Sequence, residues 1–296
     1  MSDKKPLVSI IMNCFNGEKY LLQSINSVLE QKYKNWELIF WDNKSTDNSK
    51  KILQSKNDSR FKYFYSEDHT SLYKARNLAI EKTSGDYLTF LDTDDYWLPN
   101  KLMDQINLIN EKNPGVIYGN LWVYSDQKNK KKILFKKKLY EGNIFNKLVE
   151  DYSIGITTVM IKKTLFLEID KKFDERFNHI GDFDLMLRLS KITSFAALQH
   201  PTAVYRAHGK NLSTVDRLGS VKEMQEWLNE NSLNLNTGEI NDIQKRIDDR
   251  KIIYLKLNDK YIESFKLLLR TKKNLTLKNF VIAALPSFVL KKIFWY

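Results

Sequence analysis

The chain has 296 residues, 42% hydrophobic and 28% charged, a balance that excludes disordered and collagenous chains and leaves room for one large α/β domain with an appendage. Its formal net charge of +12 favours anionic partners, and its single cysteine, Cys14, excludes an intrachain disulfide and a cysteine-based zinc site. Residues 1–6 are charged and lack the apolar stretch of a signal peptide, which points to the cytoplasm.

Residues 7–12 (LVSIIM) form a continuous apolar run rich in β-branched side chains and read as a buried parallel strand. Residues 13–17 punctuate it, and 19–31 then carry Tyr20, Leu21, Ile25, Val28 and Leu29 at helical spacing. A second strand, 36–41 (WELIFW), ends on Asp42. Residues 45–47 read as an N-cap for a short helix over 49–55. A weaker strand covers 61–65, and a helix over 72–82 carries Arg76 and Asn77. Gly85 breaks that helix, 87–91 form a fourth strand, and 99–111 are helical. Strands alternating with helices predict a mostly parallel sheet with right-handed crossovers.

After Pro114 the pattern loosens. Residues 116–124 and 157–161 are strand-like, 133–139 form a possible second arm beyond a lysine turn, and 144–152 are helical. A clear helix covers 183–191, with Leu185, Leu189 and Ile192 apolar, and a last strand covers 196–205. From Ser220 the chain reads as mostly helical, over 221–229, 238–257 and 261–270. The expected domains are therefore 1–219 and a helical extension, 220–296. Lys128, Lys130, Lys131, Lys132, Lys136, Lys137 and Lys138 read as a solvated hairpin, with no nucleic-acid module beside them. Residues 280–290 are apolar but too short for a bilayer span of ~20 residues. With Lys291, Lys292, Trp295 and Tyr296 they suit a peripheral helix at a membrane interface, or one docked on the domain.

Residues 87–95 (YLTFLDTDD) carry the densest chemistry: an apolar strand runs into Asp92, Asp94 and Asp95. Like charges this close repel, and a desolvated carboxylate without a partner is costly. A divalent cation would hold them together, and oxygen ligands suit Mg²⁺ or Mn²⁺. A solvated acidic turn is the competing reading. Asp42 ends an earlier strand, and Asp182 and Asp184 open a later helix. In a parallel sheet such strand ends gather at one crevice. There Asp42 suits a base N–H, Asp92 a ribose hydroxyl, Asp94 the metal, and Asp182 a separate catalytic base. Each has a structural alternative: Asp42 as a cap, Arg76 in an ion pair, Asp184 as support, and Trp97, Tyr118 and Trp122 as core rather than sugar platforms.

Taken in order, residues 8–18 (VSIIMNCFNGE), 42–49 (DNKSTDNS), 75–77 (ARN), 85–95 (GDYLTFLDTDD), 181–185 (GDFDL) and 205–208 (YRAH) resemble the GT-A fold glycosyltransferases of family 2. The resemblance runs over roughly residues 7–215. It implies that the turn at Cys14 and Phe15, with Glu18, contacts the nucleoside, and that Asp42 reads the uracil edge. It implies Arg76 near the diphosphate, Asp92 on the ribose, Asp94 on a metal bridging the phosphates, and Asp182 as base. His208 falls where some members make a further metal or phosphate contact. The implied reaction is an inverting transfer of a sugar from a nucleoside-diphosphate sugar, UDP-linked, to a hydroxyl of a glycan or lipid-linked glycan, with Mn²⁺ or Mg²⁺ as cofactor.

The chain departs from that pattern at three places. The usual acidic–Gly pair after Asp42 is Asn43-Lys44; the Glu that usually precedes the base is Gly181; and the Gly often found ahead of Ala-Arg-Asn is missing from Thr70-Ser71-Leu72-Tyr73. The first and third touch the nucleotide pocket. Two other functions compete. A nucleotidyltransferase usually needs a Gly-rich phosphate loop, and residues 13–17 hold only Gly17. A non-catalytic basic nucleotide- or lipid-binding protein would bind with steep salt sensitivity and no need for metal.

Overall fold

The computed structural model describes residues 5–270, 285–287 and 289–290. The interfacial helix expected over 280–290, and the basic and aromatic residues after it, lie for the most part outside the described residues.

The first half alternates as its periodicities predict: β1 (Val8–Cys14), α1 (Glu18–Leu29), β2 (Trp36–Asp42), α2 (Ser49–Gln54), β3 (Phe61–Tyr65), α3 (Leu72–Ile80) and β4 (Tyr87–Phe90). β1 pairs in parallel with β2 and β4, and β2 with β3. β1 and β2 are buried throughout their apolar runs, which is why those runs are continuous rather than alternating. The apolar stripe of α1, Leu21, Ile25 and Val28, is fully buried. Ser9 breaks the β1 run and is buried too. Its hydroxyl donates to Glu37 (2.6 Å) and accepts from the Gly85 N–H (2.9 Å), so no polar atom is orphaned there.

β5 (Tyr96–Trp97), α4 (Lys101–Lys112), β6 (Val116–Ser125), β7 (Lys130–Ile133), α5 (Phe145–Glu150), β8 (Met160–Lys162), α6 (Lys163–Glu168), α7 (Gly181–Ser190) and β9 (Phe195–Ala207) follow. The strand order is β3-β2-β1-β4-β8-β6-β9-β5, with β7 on β6. β8 runs antiparallel to β4 and β6, and β5 antiparallel to β9. The parallel arrangement thus covers β3 to β4, and the direction changes where the sequence pattern loosens.

Two local expectations change. Residues 157–161 divide into a 3₁₀ turn, Ile156–Thr158, and the start of β8. The arm expected over 133–139 is displaced: β7 lies on Lys130–Ile133, whose lysines are exposed. A strand that pairs only through its backbone needs no apolar face, so its sequence shows no period. β5 and α6 are too short to show one either.

Two compact units emerge. One takes the residues up to Tyr124, Asn129–Leu148 and Tyr152–Arg206; the other takes Ser125–Lys128, Val149–Asp151 and the described residues from Ala207 onward. The second contains α8 (Leu212–Val215), α9 (Arg217–Asn231), α10 (Thr237–Leu257) and α11 (Tyr261–Arg270). Met224, Trp227 and Leu228 of α9 and Ile243 and Ile247 of α10 are buried, and α10 opens with a capping box formed by Asn236 and Glu239. Among the described residues, no helix is long and apolar enough to cross a membrane.

Candidate active site

The carboxyl ends of β1, β2 and β4 lie side by side. Cys14 stands opposite Asp42 in the register, and the Leu91 N–H donates to the Ile11 carbonyl at 3.0 Å. The loops beyond β1 and β2 are stitched together. Asn16 N–H donates to Ser45 Oγ (2.9 Å), Gly17 N–H to Ser49 Oγ (3.1 Å), and Glu18 N–H to Asp47 Oδ2 (2.9 Å). In return Asn16 Oδ1 accepts from the Thr46 N–H at 2.9 Å. Asp47 therefore caps α1 rather than only α2, where its Oδ1 accepts from Ser49 N–H at 3.0 Å. A Cβ on Gly17 would stand 2.8 Å from Thr93 Oγ1, so the loop after β1 closes onto the acidic loop after β4.

The residues expected to contact the nucleoside sit in this weave. Asp42 is 2% exposed; its Oδ1 accepts from the Ser45 N–H (2.8 Å) and its Oδ2 from the Tyr63 hydroxyl (2.9 Å). Both oxygens are thus engaged, one by the loop that leads into α2 and one by β3, and neither caps a helix. The Glu18 carboxylate accepts from the Asn48 backbone (3.0 Å) and side chain (2.9 Å). Burial pushes the Cys14 thiol up, which keeps it protonated. Phe15 is 52% exposed, with its ring centroid 4.1 Å from that of His69. Asn43, where the family pattern expects an acid, is buried and holds the 70s loop: its Nδ2 donates to the Thr70 carbonyl at 2.9 Å.

The three carboxylates after β4 take three different environments. Asp92 accepts from Arg76 Nη2 at 2.7 Å, and Arg76 is 2% exposed among Tyr73, Phe90 and Phe173. Burial opposes the guanidinium charge most strongly, but Asp92, Tyr73 and Asp182 together outweigh it, so the charged form is favoured. Asp94 is partly exposed. Asp95 is buried, and burial, then the charges of Asp94 and Asp92, push its carboxyl well above the usual carboxylate range. Asp95 also accepts from the Arg206 N–H at 2.9 Å, while Arg206 Nε donates to the Asp94 carbonyl at 3.0 Å. The same guanidinium donates to Gln23 and lies 4.5 Å over Tyr20. Arg206 thus clamps the acidic loop through the Asp94 carbonyl and the Asp95 carboxyl, with β5 pinning the loop's far end to β9.

Asp182 lies in the first turn of α7, where the helix dipole favours an anion. Its Oδ1 accepts from the Tyr73 hydroxyl at 3.1 Å. Asp182, Tyr73, Arg76 and Asp92 therefore form one line of contacts from α7 through α3 to the acidic loop. Asp184 supports instead: its Oδ2 accepts from Arg188 Nε (3.0 Å) and Nη2 (2.7 Å). His208 belongs to the second unit. Its Nδ1 accepts from the Lys210 N–H (3.2 Å), and its Nε2 lies 3.3 Å from the Asn211 amide. Trp97 and Tyr118 are core residues, bonded to the carbonyls of Thr157 and Tyr140. Tyr73 and Arg206 escaped the sequence reading. The signal for Tyr73 was its place three residues before Arg76 on one helix face; Arg206 stood inside a recognised motif without a role.

Among the described residues, no three His, Cys, Asp or Glu side chains converge to hold a metal ion. Near Asp94 the side-chain carboxylates of the loop are all oxygen donors, and one is engaged by Arg76 and one buried. That set fits a hard divalent cation bound through one or two carboxylates and completed by phosphate oxygens.

The carboxyl edge of parallel strands, here ending in an acidic loop, is where open α/β sheets bind their ligands, and this site lies there. Residues 9–169 match the family described as Glycosyl transferase family 2, and the chain belongs to that family. The nucleotidyltransferase reading falls with that membership. The chain is 35% identical over 192 residues to the Escherichia coli UDP-Glc:alpha-D-GlcNAc-diphosphoundecaprenol beta-1,3-glucosyltransferase WfgD, covering 65% of this chain and 73% of that one. It is 40% identical over 114 residues to the putative teichuronic acid biosynthesis glycosyltransferase TuaG of Bacillus subtilis, covering 38% of this chain and 45% of that one. Its fold is similar to that of S. aureus TarS 1-349 in complex with UDP-GlcNAc, with a TM-score of 0.66 at 19% identity over 93% of this chain and 83% of that one.

Proposed function

We propose that this glycosyltransferase moves a sugar from a UDP-sugar to a hydroxyl of a lipid-linked glycan during surface polysaccharide assembly, with inversion at the anomeric carbon. The observation that carries the reading is the line Asp182–Tyr73–Arg76–Asp92, which ties a carboxylate base to the acidic loop. The relationship to WfgD, whose name gives a UDP-linked donor and a diphosphoundecaprenol acceptor, supports the substrate classes. The basic, apolar character of the terminal residues fits work at the inner membrane face.

In this reading Asp182 takes the acceptor proton as the acceptor oxygen attacks. An ordinary carboxylate, with a pKa of about 4, is a weak base but is ionised at neutral pH. A positioned base is worth on the order of 10²–10⁴-fold in rate. Arg76 fixes Asp92, which accepts from the ribose. The exposed Phe15 ring and its His69 neighbour offer a platform to the nucleobase, and Asp42 reads its edge by exchanging its bonds to Ser45 and Tyr63. Asp94 would hold Mn²⁺ or Mg²⁺, which when bound would supply positive charge against the leaving diphosphate.

The test is a screen of UDP-, GDP- and TDP-sugars for binding and for nucleotide release with and without Mn²⁺, with UDP-glucose as first probe. Selective, Mn²⁺-dependent binding of UDP-sugars is expected, lost in Asp94→Ala. Asp182→Asn should bind UDP as tightly as the parent while turnover collapses by at least 10²-fold. Metal-independent UDP binding would sink the Asp94 role, and a parallel loss of binding and turnover would sink the base.

A further inference from the structure

We infer that Tyr73 is the positioning residue for Asp182, and that Gly181 is glycine because the Tyr73 ring fills the space a side chain there would need. The inference rests on Asp182 being the base.

Tyr73 is held on every side. It is 2% exposed on the first turn of α3, and its ring stacks on Phe173 with centroids 5.1 Å apart and planes 25° apart. The Arg76 guanidinium lies 5.3 Å from the ring centre. A ring so confined points its hydroxyl in one direction, and the atom it meets is Asp182 Oδ1 at 3.1 Å. Burial, then the Asp182 charge, keeps the phenol protonated, so it acts as a donor. A hydrogen bond from a fixed donor to an ionised acceptor is among the stronger kinds and restricts the carboxylate's rotation.

Gly181 fits the same account from the other side. A Cβ there would stand 2.6 Å from Cδ2 and Cε2 of Tyr73 and 2.7 Å from Cγ, which are atoms of a stacked ring rather than the end of a flexible chain. Gly142 is the glycine with positive φ among the described residues, so position 181 does not need glycine for its backbone. It needs glycine for room. One departure from the family pattern, the missing Glu before the base, is thereby paired with Tyr73, which stands in the segment Thr70-Ser71-Leu72-Tyr73 where the usual Gly is missing. A buried phenol from α3 takes the space beside the base that a side chain on α7 would otherwise fill.

Tyr73→Phe keeps the ring, its stack and its volume, and removes only the hydroxyl. With UDP-glucose as the donor probe, we expect kcat for UDP release to fall about 10- to 100-fold, the scale of a hydrogen bond to a charged group. KM for UDP-glucose and binding of UDP with Mn²⁺ should stay within about twofold, because the hydroxyl touches the base and not the nucleotide side. In an Asp182→Asn background the same change should cost nothing further, which a merely structural tyrosine would not mimic. Gly181→Ala should reproduce the kcat loss by displacing the ring; if it fails to fold, Tyr73→Phe still decides. Unchanged kcat in Tyr73→Phe, or an equal loss with and without Asp182, overturns the positioning role while leaving the base in place. Full turnover in Asp182→Asn, or no UDP release by the parent, removes the base reading and this inference with it.

Discussion

Arg76 and Asp92 form an ion pair of 2.7 Å in which the arginine side chain is 3% exposed and the aspartate 35%. The asymmetry decides which partner is dangerous to remove. Asp92→Ala strands a nearly fully buried guanidinium among Tyr73, Phe90 and Phe173. Breaking a buried pair by removing one partner costs about 3–5 kcal/mol, and the partial exposure of Asp92 puts the expected loss near the lower figure, about 3 kcal/mol. Arg76→Lys should also weaken the protein, since an ammonium cannot bridge the carboxylate and the rings as a planar guanidinium does. Urea denaturation measures both. A loss of under 1 kcal/mol in Asp92→Ala would mean that Arg76 finds another anion, Asp182 being the nearest in charge contact.

A second prediction concerns acid. Glu37 is 4% exposed at the amino end of the sheet and receives bonds from Ser9 Oγ, Lys62 Nζ, Ser84 N–H and Ser84 Oγ at 2.5–2.8 Å. Burial alone would raise its carboxyl, but these donors outweigh it and hold the value at about 2, against an ordinary 4.5. The folded protein thus favours the ionised form. That contribution is present above pH 4.5 and is lost as pH falls through about 2. The shift corresponds to about 3 kcal/mol, and screening at the solvent-facing Lys62 brings the expected effect nearer 2 kcal/mol. Urea midpoints between pH 5 and pH 2.5 should fall less steeply in Glu37→Gln than in the parent. Parallel curves would show that other carboxylates govern acid unfolding.

The sequence was legible where one physical rule acted alone. Buried parallel strands must be apolar on both faces, so 7–12 and 36–41 announced themselves, and the strand-end acids followed from where those runs stopped. It was less legible where a residue's partner lies far along the chain. Asp42 spends both oxygens on Ser45 and Tyr63, and Glu18 spends one on Asn48, contacts that depend on two loops folding together. Asp95 stands in the same acidic run as Asp92 and Asp94 but has no role legible in the sequence, and its burial and the Arg206 N–H set it apart. Gly181 appeared as a missing glutamate, and its meaning needed the Tyr73 ring from 108 positions earlier to be seen beside it.

Lys101 supplies the last prediction. It is fully buried, and its Nζ donates to Thr89 Oγ1 and Gln105 Oε1, both at 2.9 Å, over the Trp97 ring at 4.0 Å. These partners are neutral, and burial drives its amine well below the usual 10.5. The unfolded chain therefore binds a proton that the folded chain does not, from the lowered value up to pH 10.5, and stability rises with pH across that range. The slope reaches at most about 1.4 kcal/mol per pH unit. Above pH 10 the buried phenols act in the opposite sense, Tyr118 among them with its value pushed up to about 12, so the window to examine is pH 7.5 to 9.5. Lys101→Met should flatten the slope. It should also leave stability at pH 7.5 no lower than the parent's, because the cost of releasing the lysine proton on folding is gone, the Thr89 hydroxyl still donates to the Val159 carbonyl at 2.6 Å and the Gln105 amide to the Thr158 carbonyl at 2.8 Å. A loss of several kcal/mol with the pH slope unchanged would instead mean that Lys101 is buried as a charged ammonium, satisfied by the oxygens and the indole around it.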